Sequence, residues 1–321
     1  MKKCVSISTE TTRAIGATLK TTFKSSVRAT CHSSGLAVGA AAVLLIAPGA
    51  QAQNLFEGDW GSGHIYEFTP GGVQSTFASG LYNPTGLAFD SAGNLFEADE
   101  SSGNIYEFTP GGVRSTFASG LNTPYGLAIN SAGDVFEADY GSGHIYEFTP
   151  GGVRSTFASG LSDPIGLAFN SAGNLFASED YAGNIYEYTP GGVRTTFASG
   201  LPNPVALAFN SAGNLFEADD NSGHIYEFTP GGVQSTFASG LNNPCGLAFD
   251  SAGNLFVVSI TSGTIVEFSA KGVESTFVSG LDLPNYIAFQ GVSLPVPEPS
   301  ALGLLAVGAA AFLVRRYRCH A

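Results

Sequence analysis

The feature that most constrains this 321-residue chain is an internal repeat: from residue 54 to residue 293, one 40-residue unit is written six times without a gap. The units start at Asn54, Asn94, Asp134, Asn174, Asn214 and Asn254. A fixed period of this length makes each unit one supersecondary piece, too small to bury its own apolar face and completed by its neighbours. Four short apolar runs recur in every unit. In the second they are Leu95–Ala98, Ile105–Phe108, Ser115–Ala118 and Gly126–Ile129. Their length and their aromatic and β-branched content predict strands.

The connections carry turn chemistry. Thr109-Pro110-Gly111-Gly112 reads as a type II turn, with Pro setting φ and Gly supplying a positive one. Asn130-Ser131-Ala132-Gly133-Asp134 reads as a tight hairpin loop with a left-handed Gly. Four antiparallel strands every ~40 residues, repeated, predict the blades of an all-β propeller. The run Gly86-Leu87-Ala88-Phe89 and its copies alternate tiny with large side chains, as the tapering space at a propeller axis requires. It is therefore assigned to the innermost strand. The first unit then starts on its second strand, near Leu55, and the last ends on an inner strand, Tyr286–Phe289. The two ends are expected to share one blade, giving six four-stranded antiparallel blades with the ring closed and no free edge there.

Charge divides the chain into three. Residues 1–53 carry six Lys/Arg against Glu10; residues 54–293 carry 24 Asp/Glu against Arg114, Arg154, Arg194 and Lys271. A repeat region this acidic repels phosphate backbones, which argues against nucleic-acid binding. Of four cysteines only Cys245 falls in the repeats. No disulfide framework or CxxC is present, and Cys245 reads as a small apolar filler.

The ends read as addresses. Lys2, Lys3, Lys20, Lys24 and Arg28 precede an apolar run from Gly35 to Ala47, and then Ala50-Gln51-Ala52. These are the parts of a secretory signal over residues 1–52, cut by signal peptidase after Ala52. Its basic region is long, so a start codon downstream of Met1 stays open. At the other end, residues 294–321 contain Pro297-Glu298-Pro299, an apolar run from Ala301 to Val314, and Arg315, Arg316 and Arg318. That order resembles the PEP-CTERM sorting signal of Gram-negative bacteria that make exopolysaccharide. The resemblance implies transient membrane anchorage and processing near Pro297-Glu298-Pro299 by an exosortase-type membrane protease. A plain C-terminal anchor, its arginines held inside, is the alternative.

The repeats also resemble a known group. Pro84-Thr85-Gly86-Leu87-Ala88-Phe89-Asp90, Gly93-Asn94-Leu95-Phe96, Ala98-Asp99 and Gly103-Asn104-Ile105-Tyr106 look like NHL repeats and the SMP-30/gluconolactonase-like six-bladed propellers. The resemblance spans residues 54–293, within a propeller domain expected over 53–293, and implies the fold; the group holds enzymes and binders alike, so fold alone chooses no function.

An active site on a symmetric ring must break the symmetry. His64, His144 and His224 recur in alternate units, two strand spacings of ~4.8 Å outside the inner strand. That is too far apart for one Zn²⁺, whose ligand nitrogens lie ~2.0–2.1 Å away. The glutamates at 57, 97, 137 and 217, and those at 67 and its five copies, read as solubilising charges on outer strands. Asp59, Asp99, Asp139 and Asp219 open the loop between second and third strands and read as Asx-turn caps. In the fifth unit that loop is Asp219-Asp220-Asn221-Ser222-Gly223, dense in oxygens suited to Ca²⁺ but without the spacing of a defined calcium loop.

The lactonases of the resembled group hold a divalent metal on carboxylate and amide groups at the channel mouth. The matching positions here are Thr85, Tyr125, Ile165, Val205, Cys245 and Asn285, of which only Asn285 is an obvious ligand. Virginiamycin B lyases use an axial His and an acid, and no unit offers that His. No catalytic residue is therefore assigned. What varies is one set of loops. Trp60, Tyr82, Glu100, Tyr125, Tyr140, Asp180, Tyr181, Asp220 and Asn285 differ among equivalent positions, while the Pro-Gly-Gly and Ser-Ala-Gly turns hardly change. Aromatic residues beside Asp and Asn are the types that sugars and protein partners contact. The reading is an exported, surface-displayed or extracellular-matrix binding or structural propeller, its ligand a polysaccharide or envelope protein. Calcium is the one cofactor candidate, and a metal-dependent lactonase-like hydrolase or a lyase is the alternative.

Overall fold

The computed structural model describes residues 53–291, all strand, turn and loop with no helix among them. The expected signal segment with Ala52, and the tail with Pro297, Glu298, Pro299, Arg315, Arg316 and Arg318, lie outside the described residues.

The strands form six four-stranded antiparallel sheets. Blade 2 shows the plan: inner strand Pro84–Phe89, then Leu95–Asp99, Asn104–Phe108 and the outer strand Arg114–Ser119. Blades 3 to 6 repeat it from Pro124, Pro164, Pro204 and Pro244. Each observed strand extends the expected run by a residue or two. Blade 1 takes Leu55–Asp59, His64–Phe68 and Gln74–Ser79 from the start of the ring, and its inner strand Pro284–Phe289 from the end. The expected closure is therefore present, with Leu55 opposite Phe289 and Glu57 opposite Ile287. Neighbouring inner strands contact one another all the way round, the sixth returning to the first.

Packing follows from the taper. A Cβ on Gly86 would collide with the Tyr125 carbonyl, and one on Gly126 with that of Ile165, so the inner strands approach backbone to backbone. Only Gly allows this approach without displacement. Farther out, rings fill the seams. Phe56 meets Phe77 of its own blade and Phe89 of the next edge-on, both with centroids 5.0 Å apart. The same contact between Phe256 and Phe289, at 4.9 Å, seals the closing seam. Such edge-to-face pairs add about 0.5–1.5 kcal/mol each beyond burial.

Two local readings change. In the Thr109–Val113 turn the left-handed residue is Gly112, at φ 78°, and not Gly111. Gly112 N–H donates to the Thr109 carbonyl at 2.8 Å, and Val113 N–H to Thr109 Oγ1 at 3.2 Å. This is a type I turn followed by a left-handed Gly, which matches strand twist better than the type II turn expected. The Ser-Ala-Gly loop is as expected, with Gly133 at φ 88° and Asn130 Oδ1 accepting from Ala132 and Asp134 N–H.

The second change concerns the glutamates. Glu57, Glu97, Glu137 and Glu217 are not solubilising charges: all four are fully buried, with both carboxylate oxygens lacking a hydrogen-bond partner among the described residues. The second strand is buried on both faces, so every side chain on it meets protein. At the same position blade 4 has Ala177, clustered with Phe136, Ala138 and Ile145 of the blade before, and blade 6 has Val257, clustered with Ala218 and Ile225. The glutamates occupy that apolar seam. Burial drives each carboxyl well above the carboxylate range, the neighbouring Asp raises all four further, and the Asn285 backbone offsets a little of this at Glu57. Burial favours the neutral form of all four. The glutamates of the third strand, such as Glu67, are half-buried, and Glu67 accepts from Asn54 Nδ2.

Two predictions follow from the packing. Residues 53–291 hold every strand of the ring, and a chain ending before Pro284 would strip Leu55–Asp59 of its partner. With Ile287 and Phe289 each contributing about 1.5–3 kcal/mol by burial, that loss approaches the whole net stability of a domain. Circular dichroism melting and size exclusion should show an unfolded or aggregating product. In the seam, Glu97→Met should stabilise by about 1–3 kcal/mol in chemical denaturation, by removing an unpaired buried carboxyl. A carboxyl raised in the folded state gives stability that is full below its unfolded pKa and lost as pH rises through the folded one. The parent should thus weaken as pH rises above the ordinary Glu range, and Met at all four positions should flatten that slope.

Candidate functional site

The loops between second and third strands, and those entering each inner strand, lie on one face. Buried acids lock them together in pairs. Asp59 accepts from Ser62 N–H at 2.8 Å within its own loop and from Asp282 N–H at 2.9 Å in the loop entering the same blade. Asp99, Asp139 and Asp219 repeat this on Ser102 and Tyr82, Ser142 and Asn122, and Ser222 and Asn203. In blade 4 Glu179 reaches Ser162 N–H instead. The capping role expected of these acids is therefore what the structure shows. Asp219 is fully buried, with each of its oxygens accepting from a main-chain N–H. The entry loops also hold non-glycine residues at positive φ: Asn83 at 65°, Thr123 at 62°, Asp163 at 54°, Asn243 at 50° and Leu283 at 58°. For Thr and Leu this conformation stores about 1 kcal/mol or more of strain.

The side chains of this face surround the mouth of the ring. Trp60, 37% exposed, donates from its indole to Glu100 Oε2 at 2.8 Å. The Tyr125 ring, on an inner strand, lies 5.3 Å from that of Tyr140. Burial raises the Tyr125 hydroxyl, and Glu100, Tyr140, Asp180 and Tyr181 raise it further. Burial and then Asp163, Asp180, Tyr181 and Glu100 push Tyr140 up to about 12. Asp180 is only 7% exposed and is pushed up to about 6, by burial first, then by Asp220 and Asp163, with the Asn203 amide opposing. Glu100, Tyr125, Tyr140, Asp180, Tyr181 and Asp220 thus form one electrostatic group. Tyr82 and Tyr181 point largely into solvent. Asn285 is half-buried, and its carbonyl faces the Cys245 Sγ at 3.5 Å. Cys245 is buried in the apolar cluster with Ile165 and Val205, its thiol pushed up by burial and by Asp220 and Glu57. The filler reading suits it. Asn221 is exposed, and among the described residues no group of three or more His, Cys, Asp or Glu is placed to hold a metal.

Two further residues shape this face. Tyr286 fills a position that is Gly in four other blades and Ala in one. Its hydroxyl donates to the Ile165 carbonyl at 3.3 Å, and Ile165 belongs to the inner strand three blades away. In a ring of six that is the opposite wall, so the ring of Tyr286 lies across the axis. Burial raises its hydroxyl well above the ordinary tyrosine value, with Cys245, Tyr125 and Asp180 adding to it. Comparing the six inner strands position by position would have found it, since Tyr against five small residues is the largest departure from the repeat. Asn203 was also missed. It contacts Asp220 at 3.5 Å through Nδ2, and unlike its five counterparts it keeps an ordinary φ. The face is therefore a shallow bowl, floored by Tyr286 and rimmed by aromatic and acidic residues. The four Lys/Arg of the described region lie elsewhere: Arg114, Arg154 and Arg194 over Tyr106, Tyr146 and Tyr186 on outer strands, and Lys271 in the opposite turns.

Comparison with known proteins bears on both the ring and the tail. Residues 295–318 match the PEP-CTERM protein-sorting motif. No curated protein matches the chain. Among solved structures, the nidogen/laminin complex is similar at 21% identity with a TM-score of 0.68, over 74% of this chain and 98% of that one. Virginiamycin B lyase from Staphylococcus aureus is similar at 16% identity with a TM-score of 0.58, over 71% of this chain and 85% of that one. A putative gluconolactonase is similar at 16% identity with a TM-score of 0.59, over 65% and 82%. At these identities the likeness is one of fold. The chain is thus a six-bladed β-propeller, with NHL-like, gluconolactonase-like and lyase propellers among its structural neighbours, followed by a PEP-CTERM signal that directs export and sorting to the cell envelope.

Proposed function

We propose that the exported protein is a surface-displayed or matrix-associated binding propeller whose ligand, a glycan or an envelope protein, docks in the bowl of the loop face. The observation that carries this is the concentration of unlike residues there. Five inner strands are near copies, while Trp60, Glu100, Tyr125, Tyr140 and Tyr286 each depart from their counterparts, Asp180 is matched only by Asp220, and these residues lie on one face. Rigid aromatic side chains on loops pinned by buried acids lose little freedom on binding. The sorting motif supports a destination outside the cytoplasm, in a Gram-negative envelope or its exopolysaccharide. An exosortase-type protease would remove the segment after Pro297-Glu298-Pro299.

The converging Asp180, Asn203 and Asp220 keep one alternative alive, a metal-dependent lactonase-like hydrolase. Metal analysis of the purified protein and lactone turnover decide it, since a stoichiometric divalent ion with turnover abolished by Asp220→Asn would favour the enzyme.

Residues 53–291 applied to a glycan array and to envelope proteins should bind at least one ligand. Trp60→Ala and Tyr140→Ala should weaken that binding by about tenfold or more, with the circular dichroism spectrum unchanged. No ligand on either screen would sink the reading. The intact mass of the protein from its host should place the N-terminus at Gln53 and show the apolar tail gone; a retained tail would make the segment an anchor.

A further inference from the structure

We infer that the bowl receives a primary ammonium group, held by the side-chain oxygens of Asp180, Asn203 and Asp220 beside the Tyr125–Tyr140 pair. The inference rests on the loop face being the ligand face.

Three acceptor atoms in neighbouring loops of one face are left without donors. Asp180 Oδ1, Asn203 Oδ1 and Asp220 Oδ1 are all buried and have no hydrogen-bond partner among the described residues. They belong to adjacent loops tied to one another. Asp220 N–H donates to the Asn203 carbonyl at 3.1 Å, Asn203 Nδ2 approaches Asp220 Oδ2 at 3.5 Å, and Asn243 Nδ2 approaches the Asp220 carbonyl at 3.4 Å. The Asp180 carboxylate feels Asp220 and the Asn203 amide directly. Asp180 is itself only 7% exposed, and its charge also raises the hydroxyls of Tyr125, Tyr140 and Tyr286.

An unpaired buried acceptor is costly, and a charged one more so. Two carboxylates and an amide oxygen call for a donor that carries positive charge. A primary ammonium supplies three N–H donors and no acceptor, one for each oxygen. No Lys or Arg of the described region comes near, as all four lie on outer strands or the opposite turns. Tyr125 and Tyr140, their rings 5.3 Å apart, add faces on which a cation is favoured. Calcium fits less well. It takes six to eight oxygens, whereas Asp219, the nearest further carboxylate in sequence, spends both of its oxygens on the Ser222 and Asn203 N–H groups.

The ammonium can come from a lysine side chain or an amino sugar, and calorimetry with residues 53–291 separates them. The probes are Nα-acetyl-lysine amide, its Nε-trimethyl analogue, glucosamine, N-acetylglucosamine and calcium chloride. At least one of the two free amines should bind, and whichever does names the source. Its trimethylated or acetylated counterpart, which lacks the three donors, should bind about tenfold more weakly or worse. Asp180→Asn, which removes charge without changing shape, should lower amine affinity by about tenfold or more, and Tyr140→Ala by several-fold, with circular dichroism unchanged. Equal affinity for amine and blocked analogue, or indifference to Asp180→Asn, overturns the inference and leaves the loop-face reading standing. Calcium binding that Asp180→Asn abolishes and amines do not displace overturns it in favour of a metal. Silence from every probe, together with an empty glycan array and envelope-protein screen, overturns both.

Discussion

The ring depends on one pairing, that of Leu55–Asp59 with Pro284–Phe289. Every other blade is built from consecutive chain and would form locally. Only this one joins strands more than 220 residues apart in sequence, and until it forms, two faces wait for partners. The Phe256–Phe289 contact then seals the last seam. A closed ring has no end from which to fray, so the marginal net stability usual for a domain is shared among six seams.

Regularity and function pull against each other in such a ring. The tapering axis takes Gly at this position in four of the six inner strands, and blade 5 meets the same demand with Ala206. Blade 1 does not, and puts Tyr286 there. The buried acids of the loop face show the opposite tactic. Asp59 and its equivalents fix loop backbones through main-chain N–H groups alone, which places few demands on the side chains between them. Trp60, Glu100, Tyr140 and Asp180 can differ because the frame beneath them does not.

Much of the architecture was legible before any coordinates. Strand placement, blade count and the shared blade follow from the phase of the repeat, because Gly-Leu-Ala-Phe can only sit where space narrows. The loop face was legible too, as the set of positions that vary. What failed was inference from charge. Glu57 and its copies were read as exposed because carboxylates are rarely buried without partners. The second strand, however, is enclosed on both faces, and an alternating pattern cannot reveal that when each residue meets a different blade. The Ala177 and Val257 at the same position were the available signal. Convergence was also out of reach. Asp180, Asn203 and Asp220 lie in different loops, and nothing in their spacing says that these loops are neighbours.

Tyr286 has a consequence for traffic. A propeller with an open axis is a tunnel, with an entrance, an exit and water able to move between them. Here a phenol bonded to the far wall turns the tunnel into a cup. Whatever settles in it arrives and leaves by the same door, and what the opposite face meets cannot reach it through the middle.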